Sequence, residues 1–414
     1  MSTYQPTRLI FLAGILLLTG NSCKNSVLVP DWYEFQPHED FSESVIDMSD
    51  WLDKPAGVHG KIDMEEGDYV FQDGTPVKFW GVNICSQRPY SEKETVDTWV
   101  SFLSKYGVNA VRFHKYTQHG LRKDISTQLD DEKQKRMDYF QYKLKENGIY
   151  YGWSPIYGHK LRPGDKTRLL AYDEIVNSEM KSHLTSSTIG LVNFADDIQD
   201  LHIELLTNLL DHENPYTGLR YADDPALVFV EVQNEDNIWF STLEKNLENC
   251  PTYKALITDK FTVWLRDKYG NQDNLKQAWG EDAFEWGGEV KDTDWNLDEA
   301  NICPVANQGI YGYEFEKAAK NGEKLPLFLR DMAYFLFLEQ VEFYNKAAAA
   351  IRNTGYKGII IGSCWQAGAG ITHYYNLYSD YIAGAIDRHN YFGGGTGHRL
   401  VPGTFKNTAM VSSP

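Results

Sequence analysis

The feature that most constrains this chain is an alternation. From residue 76 onward, short apolar runs ending in polar residues take turns with amphipathic segments, always in the same order. Val108 to His114, Ile149 to Ile156 and Ala226 to Gln233 read as buried strands. Asp130 to Asn147, Ala195 to His212, Thr258 to Tyr269 and a long segment from Leu327 to Arg352 carry the 3.6-residue period of helices. Gly107, Gly148 and Gly270 follow helical runs where a left-handed cap is needed. Ser91 to Glu94 has the pattern of a capping box. Two extended runs around Asp73-Gly74 predict a hairpin whose second arm enters the domain. Strands beginning near Lys78, Asn109, Ile149, Leu227, Gly358 and Tyr381 give six βα units, the last strand running from Tyr381 to Ala385. Strands alternating with helices imply a parallel sheet. Without a Gly-rich dinucleotide fingerprint, that series favours a barrel over a doubly wound sheet. The expected fold is therefore α/β, a (β/α)8 TIM barrel that is incomplete at about six units. It occupies residues 76–414, after a polar lead-in at 23–75. A stretch at about 271–325, rich in Trp, Asp, Asn and Gly and poor in periodicity, reads as an insertion shaping a pocket rim.

Charge narrows the partners. Lys plus Arg is 40 against 58 for Asp plus Glu, a net charge of −18 over 414 residues, which argues against nucleic acid and anionic lipid surfaces. Aromatic residues reach 14%, with 26 Tyr and 11 Trp. Flat faces with polar edges suit stacking on sugars. At the start, Arg8 precedes the apolar run Leu9 to Leu18 and then Thr19-Gly20-Asn21-Ser22-Cys23. This run is too short to span a bilayer and reads as the core of a signal peptide covering residues 1–22. The small residues before Cys23 resemble a bacterial lipobox, which implies acylation of Cys23 and anchoring in the cell envelope, at the outer membrane or in the periplasm. Gly20 departs from the Leu usual in that motif, and simple cleavage with secretion is the alternative. Cys85, Cys250, Cys303 and Cys364 show no C-x-x-C spacing and no His cluster, so neither a metal site nor a cofactor is expected. A Cys250 to Cys303 bridge stays open. The Gly393 to Gly397 run lacks the Lys-Ser/Thr of a phosphate loop and reads as a turn.

In a barrel of this kind the reactive groups stand at the C-terminal ends of the strands. Those ends read Asn83; Arg112 and His114; Tyr157; Gln233, Asn234 and Glu235; Trp365 and Gln366; His389 and Tyr391. The run Leu227 to Asn237 is the most informative. A buried strand ending in Asn-Glu puts a carboxyl at a half-apolar rim, where desolvation raises its pKa so that it can donate a proton at neutral pH. By residue type alone, Glu235 reads as a solvated loop acid, since Glu is common on loops.

The context changes that weighting. The run resembles the fourth-strand motif of clan A of the glycoside hydrolases, the retaining (β/α)8 enzymes that include families 5 and 42. Val58-His59-Gly60 and Asp73 to Asn83 resemble the first strand of that clan, and Gly107 to His114 the second. Asn214-Pro215-Tyr216-Thr217-Gly218, followed by Asp223 to Leu227, resembles the approach to the fourth. The likeness covers roughly residues 40 to 414, and the order of motifs is more specific than any one of them. It implies that Glu235 is the general acid and base, that Asn234 binds the sugar 2-hydroxyl, and that Arg112 orients a second carboxylate. His114 and Asn83 would line the site, Trp365 would stack under the sugar, and His389 and Tyr391 would complete it. The bland alternatives are an Arg112 paired with a nearby acid, His114 and His389 as satisfied core histidines, and Trp365 as packing.

A retaining glycosidase needs a second carboxylate roughly 5 to 5.5 Å from the first. In the clan this is a Glu at the end of the seventh strand. The last Glu here is Glu342, inside the long helix; Asp380 and Asp387 are the only later acids, and neither occupies that place. The nucleophile is therefore expected beyond residue 414, with the chain ending between the sixth and seventh units. The expected function is hydrolysis of O-glycosidic bonds in a poly- or oligosaccharide. The alternative is a noncatalytic carbohydrate-binding surface lipoprotein.

Overall fold

Five parallel strands form the centre of the molecule, and they neighbour one another in the order in which the chain makes them. The structure is a computed structural model that describes residues 44–179, 184–286, 294–364 and 370–389. Cys23, Trp365, Gln366 and Tyr391 lie outside them. A small antiparallel hairpin, β1 (Ile62–Glu65) and β2 (Asp68–Phe71), comes first. The sheet then runs through β3 (Gly81–Cys85), β4 (Ala110–His114) and β5 (Tyr150–Ser154). The two-residue strands β6 (Glu213–Asn214) and β7 (Leu219–Arg220) pair only with each other. β8 (Leu227–Glu231) and β9 (Ile359–Ile361) complete the sheet. Sequence order without reversal is the arrangement of a (β/α) barrel; a doubly wound sheet reverses at its switch point.

The crossovers are helical. α1 (Lys93–Lys105) leads to β4, and the short α2 (Thr117–Gly120) and α3 (Asp131–Glu146) to β5. Asp130 caps α3 by accepting from the backbone N–H groups of Glu132 and Lys133, which satisfies donors the helix cannot. α4 (Tyr172–Val176) and α5 (Asp196–Asp211) precede β8. Between β8 and β9 come α6 (Ser241–Asn249), α7 (Pro251–Tyr269), α8 (Gln272–Trp279), α9 (Glu281–Glu285), α10 (Gln308–Lys320) and the long α11 (Leu327–Asn353). α12 (Ile371–Ala383) follows β9. Val111, Phe113, Tyr151, Trp153, Val228 and Val230 face these helices and are buried; the alternate residues face the barrel interior.

Four expectations change. The strand from Tyr381 is helix: α12 continues to Ala383, Gly384 ends it at φ 150°, and Ala385 alone makes a parallel bridge to Ile361. Among the described residues the sheet therefore has five strands and one bridge in place of six strands. The Asp73-Gly74 turn forms, with Thr75 N–H donating to Asp73 Oδ1 at 2.9 Å, but only Val70 and Pro76 pair across it. Phe71 N–H donates to Thr75 O at 2.9 Å and Val77 N–H to Tyr69 O at 3.1 Å, so the arm meets the second edge of β2 for these few residues only. Ser91 does not cap α1; its hydroxyl donates to the Arg88 carbonyl at 2.8 Å, and the helix starts at Lys93 without a side-chain cap. The insertion expected to be irregular contains α8, α9 and α10. Asn271 and Asn307 cap α8 and α10, a signal hidden because α8, α9 and α10 each bury only one or two residues. No disulfide joins Cys85, Cys250, Cys303 and Cys364, so the Cys250 to Cys303 bridge does not form.

Candidate active site

Register builds the interior in two layers. In the lower, Asn83 stands opposite Arg112, Arg112 opposite Gly152, Gly152 opposite Phe229, and Phe229 opposite Ile359. Gly152 is needed there: a Cβ at that position would lie 2.1 Å from the Phe229 ring. The ring fills the space, and the Arg112 guanidinium lies 5.1 Å from its centroid, a cation–π contact. Asn83 is exposed on the edge strand. The layer above is polar. His114 Nδ1 donates to Ser154 Oγ at 2.9 Å, and Ser154 Oγ donates to Glu231 Oε1 at 2.9 Å.

Glu231 is fully buried and is the hub of this layer. Arg112 Nη2 binds its Oε2, and the Cys364 thiol donates to its Oε1 at 3.3 Å. Desolvation raises the Glu231 pKa and the Arg112 charge opposes the rise. Desolvation also works against the Arg112 charge, but Glu231 and Asp387 outweigh it and hold the guanidinium protonated; Asp387 Oδ2 lies 2.8 Å from Arg112 Nη1. His114 is pushed down to about 3, first by desolvation and then by Lys115 and Arg112, so it is a neutral imidazole. Burial likewise lifts the Cys364 thiol well above its ordinary value, which keeps it a hydrogen-bond donor.

Glu235 lies one step beyond this layer. Residues after β8 are pinned from both sides: Val232 N–H donates to Ile361 O (2.8 Å), Asn234 N–H to Ile156 O (2.9 Å) and Glu235 N–H to Ser363 O (2.9 Å). This holds Glu235 in the left-handed region, φ 44°. Three other residues just past strand ends share that region: Ser86 (φ 64°), Lys115 (φ 53°) and Cys364 (φ 49°). Non-glycine residues pay for such conformations, and they gather at functional sites. The Glu235 side chain is 8% exposed. His389 Nδ1 donates to its Oε1 at 2.6 Å, while Lys115 Nζ (3.4 Å) and Asn234 Nδ2 (3.4 Å) reach its Oε2. Lys115 also lies 4.3 Å from the Tyr157 ring centroid. The His389 backbone N–H donates to Cys364 O at 3.1 Å, and its ring lies 5.7 Å from that of His114.

The structure thus brings together Glu235, Asn234, Arg112, His114 and His389, with Asn83 in register beside Arg112. Sequence reasoning missed Glu231, Lys115, Asp387 as the second partner of Arg112, and Cys364 as a donor. Glu231 had a signal. It shares the parity of Phe229 against Val228, Val230 and Val232, so it faces inward, where a buried carboxylate needs a cation. Lys115 follows the last strand residue His114 and gave no such sign. Of the later acids, Asp380 is buried on α12, accepting from Ser363 N–H and Oγ at 3.0 Å each, with Arg388 Nη1 at 3.4 Å. Burial pushes its pKa up to about 7, against the pull of Arg388. Among the described residues no group of three His, Cys, Asp or Glu is placed to hold a metal ion, and no helix is long and apolar enough to cross a membrane.

An inward-facing acid stands at the end of the fourth parallel strand, beside Asn and across from Arg and His, and the segment that contains it is similar to a glycoside hydrolase family. Residues 208–295, which contain β8 and Glu235, match a family 42 glycoside hydrolase model described as beta-galactosidase. No curated protein matches the chain. Among solved structures it is similar to a beta-galactosidase from the psychrophilic Marinomonas ef1, at 16% identity and TM-score 0.43, over 69% of this chain and 37% of that one. A beta-galactosidase from Bacillus circulans sp. alkalophilus gives 15% identity and TM-score 0.42, over 69% and 36%. The endo-1,4-beta-mannanase of Rhizomucor miehei gives 16% and 0.32, over 78% and 99%. The chain spans little more than a third of the length of either galactosidase.

Proposed function

We propose that this chain carries the acid/base half of a retaining β-glycosidase acting on an oligo- or polysaccharide. The observation that supports it is the placement of Glu235: a nearly buried carboxyl at the rim of a parallel barrel sheet, with hydrogen-bonding partners on both oxygens. In the first step Glu235 would give its proton to the leaving glycosidic oxygen. In the second it would take a proton from water. His389, bonded to Oε1, holds the carboxyl orientation and offers a route for the proton. Asn234, one residue earlier and 3.4 Å from Glu235 Oε2 through its Nδ2, would bind a sugar hydroxyl beside the breaking bond.

The second carboxylate is proposed to come from polypeptide beyond residue 414. Glu231 is a poor candidate because both its oxygens are occupied and it is fully buried. Export through the segment before Cys23, with a lipid anchor on that cysteine, fits a role in the cell envelope. One observation favours the noncatalytic reading. Of the acids paired with Arg112, Glu231 is fully buried, and Asp387 follows α12 and not a seventh strand.

The two readings separate on the polypeptide of the whole reading frame. Turnover of chromogenic β-galactosides or β-mannosides, abolished by Glu235→Gln, supports the glycosidase; binding of the same sugars without turnover supports the module. On the 414-residue chain alone little or no hydrolysis is expected. Measurable turnover abolished by Asp387→Asn would place the nucleophile inside this chain and overturn its assignment elsewhere.

A further inference from the structure

We propose that the glycan cleaved beside Glu235 carries an anionic group, a carboxylate or a sulfate ester, on its leaving-group sugar, and that Lys115 binds it. This rests on the glycosidase reading above and names the class of its substrate. Lys115 is the first residue past β4, held at φ 53° with its N–H donating to Ser154 O at 2.8 Å. From there its ammonium lies 3.4 Å from Glu235 Oε2 and 4.3 Å from the centroid of the Tyr157 ring, and the side chain keeps 29% of its surface open. Arg112 and His114 lie in the layers below, which are left to the sugar that is transferred. A cation beside the proton donor at the rim faces the sugar that leaves.

The charge balance selects an anion over a hydroxyl. Proton donation needs a protonated carboxyl, yet an ammonium beside a carboxyl favours its ionised form. A neutral sugar would leave Lys115 on Glu235 and the carboxyl ionised. An anion on the sugar draws the ammonium to itself, and Glu235 then takes from solvent the proton it must give to the leaving oxygen. The other cations around the site are already matched: Arg112 by Glu231 and Asp387, and Arg388 by Asp380 at 3.4 Å. His389 stays on Glu235 Oε1 and orients it.

The rim continues in the same sense. Cys85, in register with His114 and within reach of the Lys115 and Arg112 charges, lines a cavity of about 690 Å³ with Arg88, Glu92, Lys133 and Arg136. Arg136 is matched by Glu92 at 2.5 Å. Arg88 and Lys133 have no carboxylate partner among the described residues; they rest on rings, 5.9 Å from the centroid of Trp99 and 5.2 Å from that of Tyr90. In a chain of net charge −18, cations set against rings in place of acids keep their charge for a ligand. A cavity of this size admits a further sugar.

A matched set of disaccharides tests this: lactose, the same disaccharide ending in glucuronate, and the same ending in a glucose sulfate. Mannobiose with its mannuronate and sulfate relatives makes a second set. Calorimetry on the polypeptide of the whole reading frame should show an anionic member binding roughly tenfold or more tighter than its neutral parent, the worth of one charge-assisted hydrogen bond. Whichever anion binds more tightly identifies the occupant as a uronic acid or a sulfated sugar. Lys115→Met should bring that member down to the affinity of the neutral sugar. Lys115→Arg should keep most of the advantage, which separates loss of charge from loss of fold. Carbon-13 spectra should show Glu235 titrating at higher pH with the anionic sugar bound than with the neutral one, a change that no structural role of Lys115 produces. Equal affinity for neutral and anionic members in both sets, or an advantage that survives Lys115→Met, overturns the inference. If the advantage depends on Lys115 while no Glu235-dependent hydrolysis is found, this site stands and the proposed reaction falls. If lactose or mannobiose is hydrolysed as fast as its anionic relatives, the reaction stands and this inference falls.

Discussion

Arg112 and Glu231 are the residues on which the interior depends most. A fully buried carboxylate that loses its cation is left unpaired, and breaking such a pair costs about 3–5 kcal/mol. Arg112→Met should therefore lower the urea-unfolding free energy by about that much, and adding Glu231→Gln should recover part of the loss. A recovery of nothing would mean that Arg112 acts through Asp387 or Phe229 instead. Lys115 is different, being 29% exposed, and its pairing with Glu235 contributes little stability. Its effect is on the carboxyl: a nearby ammonium favours the ionised form. Carbon-13 spectra of Glu-labelled protein, assigned with Glu235→Gln, should show Glu235 titrating at higher pH in Lys115→Met; an unchanged titration would mean the contact has no electrostatic weight. Arg112 and Glu235 were legible because their residue types and spacing carry chemistry. Lys115 was not, because only its backbone turn aims it at Glu235.

At the scale of elements, β5 is defined by what it leaves out. Gly152 makes room for the Phe229 ring on which Arg112 rests. Gly152→Ala forces that ring aside and should cost roughly 1–3 kcal/mol, with Phe229→Leu in the same chain restoring most of it. Failure of Phe229→Leu to restore stability would show that Gly152 serves the backbone and not the ring. The strands near residues 110, 150, 227 and 359 were readable because each is a short, mostly buried run, and the one near 81 because it follows the Asp73-Gly74 turn. The sixth was not, because Tyr381-Ile382-Ala383 is equally good strand and helix, and the buried stripe that marks the 3.6-residue period of α12, Thr372, Asn376, Ser379, Asp380 and Ala383, is mostly polar. α8, α9 and α10 escaped notice because their buried residues are few, Leu275, Trp279, Ala283, Tyr311 and Ala318, so no apolar stripe stands out.

At the scale of the whole molecule, buried histidines set the acid limit. Desolvation pushes His114 and His202 down to about 3 and His159 to about 4. Their folded pKa values lie below the unfolded value near 6.5, so the unfolded chain takes up protons first. Stability from this source is fully present above pH 6.5 and is lost as pH falls toward 4 and 3. Asp236 and Asp380, pushed up to about 7 by burial, act with the opposite sign, adding stability below pH 7 that is lost as pH rises through it. Glu231, Glu244 and Glu339, also raised by burial, oppose the histidines too, so the histidine fall between about pH 6 and 4.5 is read by difference from a variant that lacks one of them. Replacing His159 by Asn should flatten that fall by up to about 1.4 kcal/mol per pH unit; a parallel curve would show that His159 is protonated in the fold.

The central claim is that Glu235 protonates a leaving glycosidic oxygen. The most direct measurement is the dependence of turnover on the leaving group, made on the polypeptide of the whole reading frame. Protonation matters for a poor leaving group and hardly at all for a dinitrophenolate. Glu235→Gln should therefore lose at least a hundredfold on a natural disaccharide while the first, glycosyl-transfer step on dinitrophenyl glycosides stays within about tenfold of wild type. Equal losses on both substrates would contradict the account and make Glu235 a residue of structure or binding.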